Sequence, residues 1–531
     1  MGYFGDKWLF NIKNWRQQRP IKIWLPPFFP KPGQKPPNWT TFMPLSRPGQ
    51  RKPADFMRLT LAPISPDDLR LVVAEKNAIE PLAGLLAPAD FAFIKTASER
   101  GMTHCLFPTA GKGVLVWLIS GQKPPEAELL EDARRAGCEA MTELNRFKIG
   151  QVFIQNGGVS AKLLLAFAEG MALGSYQFLK YFSQKDKKER SLQAIALDET
   201  SVSAADFLEM KSVVEAVFAA RTLVNEPQNV MDTPHLVAEI ERIGSEMGFS
   251  VEVFSKEKIE SLRMGGLLAV NRASSVPPAF LVLEWKPEAF SNKKPVVLIG
   301  KGVVYDTGGL SLKTSDGMEY MKSDMAGAAT VVGAMSAAAQ SNLPLHLIGL
   351  IPATDNKIGE NALAPGDIIT MMDGTTVEVT NTDAEGRLIL ADALHFAKKM
   401  EPELVLDFAT LTGSAVKALG TQAICYMGTA DESTKSSLEK SGWMVYERLV
   451  ELPLWKEFGD DLKSSIADLK NLGGSTAGMI TAGKFLEHFV DFPWLHFDIA
   501  GPAYLKAANS YRPKDGTGVG VRLLFDFLKN Y

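Results

Sequence analysis

Cysteine and histidine are scarce in this chain. Its 3 cysteines, Cys105, Cys138 and Cys425, stand too far apart in sequence for a disulfide framework or a thiolate zinc site, and a reducing compartment is the default expectation. Its 6 histidines include no HExxH pair and no pair at ligand spacing, and His395, inside an apolar helical pattern, reads as a packing residue. Neither a G-x-S-x-G elbow nor a GK[ST] phosphate loop occurs, which removes sequence support for a serine hydrolase of that type or a P-loop NTPase. The glycine-rich stretch 472–478 carries no lysine and follows no strand pattern, so it reads as a structural loop. No apolar run approaches the roughly 18 residues of a membrane span. The first residues also lack the compact apolar core and small-residue cleavage site of a secretory signal, and these absences predict a soluble, cytoplasmic protein with no membrane partner. No internal repeat is visible.

What remains is ordinary globular composition with one odd end. Hydrophobic residues make up 46% of the 531 and charged ones 22%, enough for a large core divided over more than one domain. The net charge of −4 is unevenly spread: residues 1–54 hold ten lysines and arginines against the single Asp6, leaving −13 for the rest. The same 54 residues contain ten prolines and ten aromatics, a composition that disfavours helix and sheet and favours extended backbone. This 1–54 extension reads either as a solvated arm or as a segment that docks aromatics on a neighbouring subunit or an acidic surface.

Beyond it the texture is α/β, with short apolar runs alternating with helical patterns. Phe91–Ile94 and Gly113–Ile119 read as strands, and 125–143 and 161–181 as helices, which suggests a smaller N-terminal α/β domain over 55–200. Residues 184–198 read as charged and polar, and 201–224 as an interdomain helix. A larger α/β domain then occupies 225–531, where PVVLIG (295–300), LHLIGLI (345–351), TTVEVT (375–380) and LVLDF (404–408) are candidate buried strands. Continuous Val/Ile/Leu runs with helices between them predict a mostly parallel central sheet covered by helices. In such sheets ligands sit beyond the carboxyl ends of the strands.

Charged residues gather at those ends. After PVVLIG come Lys301, Asp306 and Lys313, then Asp324 before an alanine-rich helix; after TTVEVT come Asp383, Glu385 and Arg387, opening a helix over 388–399. Each piece has a plainer reading, because an Asp-x-Glu turn also complements a helix dipole and a strand-end lysine often sits in solvent. Together they put four carboxylates beside two lysines and an arginine. Like charges raise one another's pKa, so such a set needs cations to stay ionised, and an oxygen-rich ligand set suits Mg2+, Mn2+ or Zn2+ in a two-metal site. A lysine desolvated beside dications can lose its proton and ligate, while one farther off stays charged and stabilises an oxyanion.

The segments GKGVVYDTGGLSLK, MKSDMAGAAT and NTDAEGRL resemble the leucyl aminopeptidase family of metallopeptidases. The likeness runs from AEGMALGSYQFLKYF through LVNEPQNV, PATDNKIGENALAPGDII, ATLTGSAV and HFDIAGPAY to TGVGVRLL, about two thirds of the chain. Tyr305 and Ala326 depart from the phenylalanine and glycine common in the family. The resemblance implies one metal held by Lys301, Asp306, Asp324 and Glu385, and a second held by Asp306, Asp383 and Glu385. It implies that Lys313 stays protonated to polarise the scissile carbonyl and stabilise the gem-diolate. Bicarbonate, the general base of the family, would be held by Arg387 with backbone groups near Gly386 and Leu388. Met321, Asn381, Thr410, Leu411, Gly413 and Ala500 match positions that line the family's substrate site.

The activity so implied is release of N-terminal residues, leucine-like ones preferred, from short peptides, by a homohexamer using Zn2+ or Mn2+, with Mg2+ or Co2+ as further candidates. A second function class is nucleic-acid binding through the basic 1–54 extension, since some bacterial members of the family also act as DNA-binding accessory or regulatory proteins. No recognised motif accompanies that charge.

Overall fold

The computed structural model describes residues 57–64, 68–107, 113–119 and 125–531. The 1–54 extension lies outside them, and with it the reading of that segment as a nucleic-acid or subunit contact. The described residues pack as one compact unit.

Two sheets organise that unit. The first contains β1 (Arg58–Ala62), β2 (Arg70–Glu75), β3 (His104–Phe107), β4 (Val114–Ile119), β5 (Gln151–Asn156) and β6 (Ala194–Asp198), in the order β1-β6-β5-β2-β4-β3. All its pairings are parallel except β3 with β4. Here two expectations fail. Phe91–Ile94 lies inside the helix Pro88–Glu99, where Pro88 occupies the first turn and supplies the helix start that a four-residue apolar run could not announce. The stretch 184–198, charged at its beginning, ends in the wholly buried strand AIALD of β6.

The larger sheet uses β7 (Ser250–Phe254), β8 (Ala279–Trp285), β9 (Val296–Gly300), β10 (Gly302–Asp306) and β11 (Leu347–Asn356). It is completed, after the short strands β12 (Ile368–Thr370) and β13 (Thr376–Glu378), by β14 (Leu404–Ala409), β15 (Ile424–Gly428), β16 (Leu449–Glu451) and, beyond β17 (Leu469–Lys470), by β18 (Trp494–Asp498). The order is β16-β15-β18-β14-β9-β11-β8-β7, with β10 also paired to β11. Its centre, β18-β14-β9-β11, is parallel, and antiparallel strands close both flanks. TTVEVT does not belong to it: β13 pairs with β12 and β17 in a separate three-stranded sheet. Three residues of strand with alternating polar side chains fit a short surface sheet better than a doubly covered centre.

Strand periodicity explains the layers. Val296, Leu298, Leu404, Leu406 and Phe408 point to one face and join a core with the helix Ala326–Gln340. Val297, Ile299 and Val405, one residue out of phase, join another with the helix Glu385–Ala397. The first of these cores is continuous with that of the smaller sheet: Leu71, Phe167, Val217 and Leu298 belong to a single buried cluster. The helix Ala204–Asn225 packs on Ala326–Gln340 and on the helix Ala161–Ser175, carrying that continuity.

A buried ionic knot reinforces it. Glu169 accepts from Arg134 Nε at 2.7 Å and from Arg522 Nε at 2.7 Å, tying the helices Glu126–Arg146, Ala161–Ser175 and Val521–Lys529 together. Burial would raise this carboxyl's pKa, but the Arg522 and Arg134 charges overcome it and hold the pKa down at about 2. No described helix is long and apolar enough to cross a membrane.

Candidate active site

Lys301 follows β9 directly and Asp306 ends β10, so the segment after PVVLIG is itself a second strand. Gly308 and Gly309, at φ +84° and +65°, then reverse the chain with two successive left-handed residues, and Lys313 N donates back to the Thr307 carbonyl at 3.0 Å. Asp324 precedes the helix Ala326–Gln340. A Cβ on Gly327 would lie 2.0 Å from the Phe408 carbonyl oxygen and one on Gly300 would lie 2.6 Å from the Gly327 oxygen, so the helix start presses on β9 and β14 at a spacing only glycine allows. Glu385 opens the helix Glu385–Ala397, three residues before the expected start.

These turns converge on one buried cluster. Carboxylate oxygens of Asp306, Asp324 and Glu385 lie within 4.8 Å of one another. Lys301 Nζ stands 2.8 Å from Asp324 and 2.9 Å from Glu385, and donates to the Thr410 carbonyl at 3.1 Å. Lys313 Nζ is 2.7 Å from Asp306 and also contacts Asp383. Burial would push both ammonium groups toward neutrality, but for Lys301 the carboxylates of Asp324, Glu385 and Asp306 outweigh it, and for Lys313 those of Asp306, Glu385, Asp324 and Asp383. Both stay charged in this arrangement. Burial, helped by Asp306 and Glu385 against Lys301, pushes the Asp324 carboxyl up to about 8, and burial raises Asp383 as well.

The remaining expected residues surround the cluster. Thr410 Oγ1 donates to Asp324 at 2.7 Å, and Asn381 Oδ1 accepts from Asp383 N at 2.7 Å. Met321 begins the short helical turn Met321–Ser323 just before Asp324. Leu411 and Ala500 both donate their backbone N–H to Asp498 Oδ1 at 3.1 Å, which holds the ends of β14 and β18 side by side, and Gly413 opens the next helix. Arg387 is buried, donates to the Asn471 carbonyl at 2.8 Å and leaves Nε without an acceptor; burial lowers its pKa to about 10. Gly386 approaches Lys301 so closely that a Cβ there would lie 2.6 Å from Cε, and Leu388 follows in the same helical turn. Of the two departures from the family pattern, Tyr305 donates to the Met318 carbonyl at 3.4 Å, and Ala326 is buried at its helix start.

Three residues that sequence reasoning passed over organise this set. Asn356 Nδ2 donates to Asp306 at 2.8 Å, to the Thr382 carbonyl at 3.0 Å and to Glu385 at 3.4 Å, because β11 runs on to Asn356 instead of ending at Ile351. Asn471 Oδ1 accepts from Thr380 N at 2.9 Å while its Nδ2 donates to the Asn381 carbonyl at 2.7 Å, fixing the NTDAEGRL loop. Asp498 is the third. All three lie in segments that carry the family resemblance, Asn471 in SSIADLKNLGGSTAGMITAGKFL, yet no spacing signal separated them from their neighbours.

The donor set suits divalent cations. Four carboxyl groups face two ammonium groups in a buried site, and the Asp324 Oδ2 and Asp383 Oδ1 atoms, although beside lysines, make no directed hydrogen bond.

Comparison with known proteins gives this chemistry its class. Residues 218–525 match the family model described as the cytosol aminopeptidase family, catalytic domain. A probable cytosol aminopeptidase of Chlorobium limicola is 41% identical over 464 residues, 82% of this chain and 90% of that protein. Among solved structures, the bottromycin maturation enzyme BotP in complex with Mn superposes with a TM-score of 0.77 at 30% identity, covering 87% of this chain and 99% of that one. A lysine-to-glutamate mutant of tomato leucine aminopeptidase does so with a TM-score of 0.78 at 26% identity, covering 90% and 97%. The fold and site are those of a metal-dependent hydrolase acting as an exopeptidase. The chain belongs to the cytosol aminopeptidase family.

Proposed function

We propose that this aminopeptidase removes N-terminal residues, leucine-like ones preferentially, from short peptides. Lys301, as the neutral amine once a bound dication displaces its proton, would hold one divalent ion with Asp306, Asp324 and Glu385, and Asp306, Asp383 and Glu385 would hold a second, with Zn2+ or Mn2+ as the first candidates and Mg2+ or Co2+ also suited to the donors. The observation that carries this reading is the convergence of these buried carboxylates on two lysines at the strand ends. Bound dications supply a water acidified to a pKa of about 7 and a Lewis acid for the peptide carbonyl.

The protein's own groups do the rest. Lys313, less buried than Lys301 and opposed by several carboxylates, presents a permanent ammonium to the oxygen that gains charge as the carbonyl is attacked. Arg387, with its Nε free and the first-turn backbone of Gly386 and Leu388 beside it, would hold a bicarbonate ion that supplies a general base. Met321, Asn381, Thr410, Leu411, Gly413 and Ala500 would form the walls for the N-terminal residue, with Asp498 fixing two of them.

We read 55–200, with its own six-stranded sheet, as an N-terminal domain, 201–224 as the connecting helix and 225–531 as the catalytic domain, in a cytoplasmic homohexamer. The deciding experiment is hydrolysis of leucine p-nitroanilide and a Leu-initiated peptide by metal-stripped protein with Mn2+ or Zn2+ restored. Release of the N-terminal residue only with metal is expected. Metal-independent release, or none with any metal, overturns the reading. Sedimentation of the intact chain tests the hexamer.

A further inference from the structure

Away from this cluster, four guanidinium groups surround one small cavity. Arg221, Arg448, Arg512 and Arg522 line it together with Tyr511, and Glu447 is the one carboxylate among its lining residues. The cavity, partly open to solvent, offers about 30 Å3 between the helix Ala204–Asn225, the turn before β16 and the segment after β18. Arg221 is 1% exposed, yet its three hydrogen bonds go to backbone carbonyls: Nε to Thr517 at 2.9 Å, Nη1 to Leu173 at 2.6 Å and Nη2 to Tyr511 at 3.1 Å. Burial, with some repulsion from Arg522, lowers its pKa to about 9. A buried guanidinium without a counter-ion is costly, since desolvation is compensated only by an opposite charge or a full set of acceptors.

Of the nearby carboxylates, Glu447 favours the Arg221 charge without hydrogen-bonding to it, and the others are engaged elsewhere. Glu447 Oε2 accepts from the backbone N–H of Gly520 at 2.8 Å and of Leu523 at 3.3 Å, and burial raises its pKa. Glu169 is shared between Arg134 and Arg522, Glu131 takes Tyr511 and Arg135 with Arg512 at 3.8 Å, and Asp526 bonds to Ser441. Two buried donors remain without an acceptor, Arg448 Nε and Arg522 Nη2, and Arg522 as a whole is 3% exposed. Positive charge and free donors thus meet at a cavity that needs an acceptor.

We propose that this cavity is a binding site for one small monovalent inorganic anion, of halide size, held by Arg448 Nε and Arg522 Nη2 and balancing the Arg221 charge. The cavity has room for an occupant of water size or larger, so a halide fits beside the two free donors. Charge-assisted hydrogen bonds to arginine would fix it. Pro502 lines the cavity two residues after Ala500, so the occupant also braces the segment that continues from the proposed substrate wall.

The test uses the full-length, metal-loaded enzyme with bicarbonate held constant. At fixed ionic strength, gluconate is replaced by chloride while the melting temperature is followed, and crystals grown without halide are soaked in bromide. The expected results are a saturable rise in melting temperature and an anomalous bromide peak within hydrogen-bond distance of Arg448 Nε and Arg522 Nη2. Arg448→Gln, at a half-buried position, should raise the chloride midpoint about tenfold, the cost of one charge-assisted hydrogen bond. No bromide in the cavity, with melting set by ionic strength alone, would mean that water fills it and would overturn the proposal. Saturation by sulfate or phosphate in place of chloride overturns the size class, and an unchanged midpoint in Arg448→Gln overturns the assignment of that ligand. The bromide measurement stands on the unmodified protein if the variant fails to fold.

Discussion

The two sheets are built alike and end differently. Both have a parallel centre formed from continuous apolar runs and covered by helices. In the smaller sheet the polar residues at strand ends are satisfied by their own turns: Asn156 by Gly158 and Val159, and Asp198 by Thr200 and Ser201, all within three residues. In the larger sheet Lys301 reaches Asp324, Glu385 and Thr410, Asp306 reaches Lys313 and Asn356, and Asp498 reaches Leu411, partners up to 109 residues away. Locally closed strand ends are stable and inert. Strand ends that must satisfy one another across separate loops concentrate like charge in one place, and that charge is what a metal can bind.

This contrast can be broken most sharply at Glu385. Glu385→Ala should abolish turnover and cut the metal content found by elemental analysis, because it removes an oxygen from the centre of the cluster; near-normal activity in that variant would sink the two-metal assignment. Lys313→Ala should lower kcat by about 10²-fold or more, on the scale of removing an oxyanion donor, while metal content stays near that of the parent. Metal loss accounting for its defect would instead mean that Lys313 holds the carboxylates together rather than acting on substrate. Asn356→Ala should weaken metal affinity about 10–100-fold, the range for groups that orient ligands, and a titration with a competing chelator reads it. The smallest effect belongs to the smaller sheet. Asp198→Ala should cost about 1 kcal/mol in denaturant unfolding and leave kcat and metal affinity unchanged, and a loss of activity there would show that its strand ends are not inert.

The residues the structure gathers were largely visible as chemistry in the sequence, because carboxylates and lysines clustered after apolar runs are rare enough to notice. Their arrangement was not. TTVEVT alternates polar and apolar residues, and nothing within six residues tells a strand of the central sheet from one of a satellite sheet; only its pairing with β12 and β17 does. FAFI looked like a strand for the same reason, being too short for its period to declare itself. Asn356, Asn471 and Asp498 act through several hydrogen bonds each, mostly to residues far along the chain, and such partners carry no local signature. The glycines Gly300 and Gly327 marked a close approach, but which backbone came close was a matter of tertiary packing.

The Arg134–Glu169–Arg522 knot sets a timetable for synthesis. Glu169 leaves the ribosome 353 residues before Arg522, its second cation. At translation rates of about 5–20 residues per second, that gap lasts on the order of tens of seconds. During this interval the smaller sheet and its helices must keep a carboxylate that is destined for burial wet, or paired with Arg134 alone, and the groove that receives the helix Val521–Lys529 stays open to whatever else is apolar nearby. The helix Val521–Lys529 is therefore made long after the elements it seals, and a nascent chain halted before it would present an unfilled seam to the quality-control machinery of the cell.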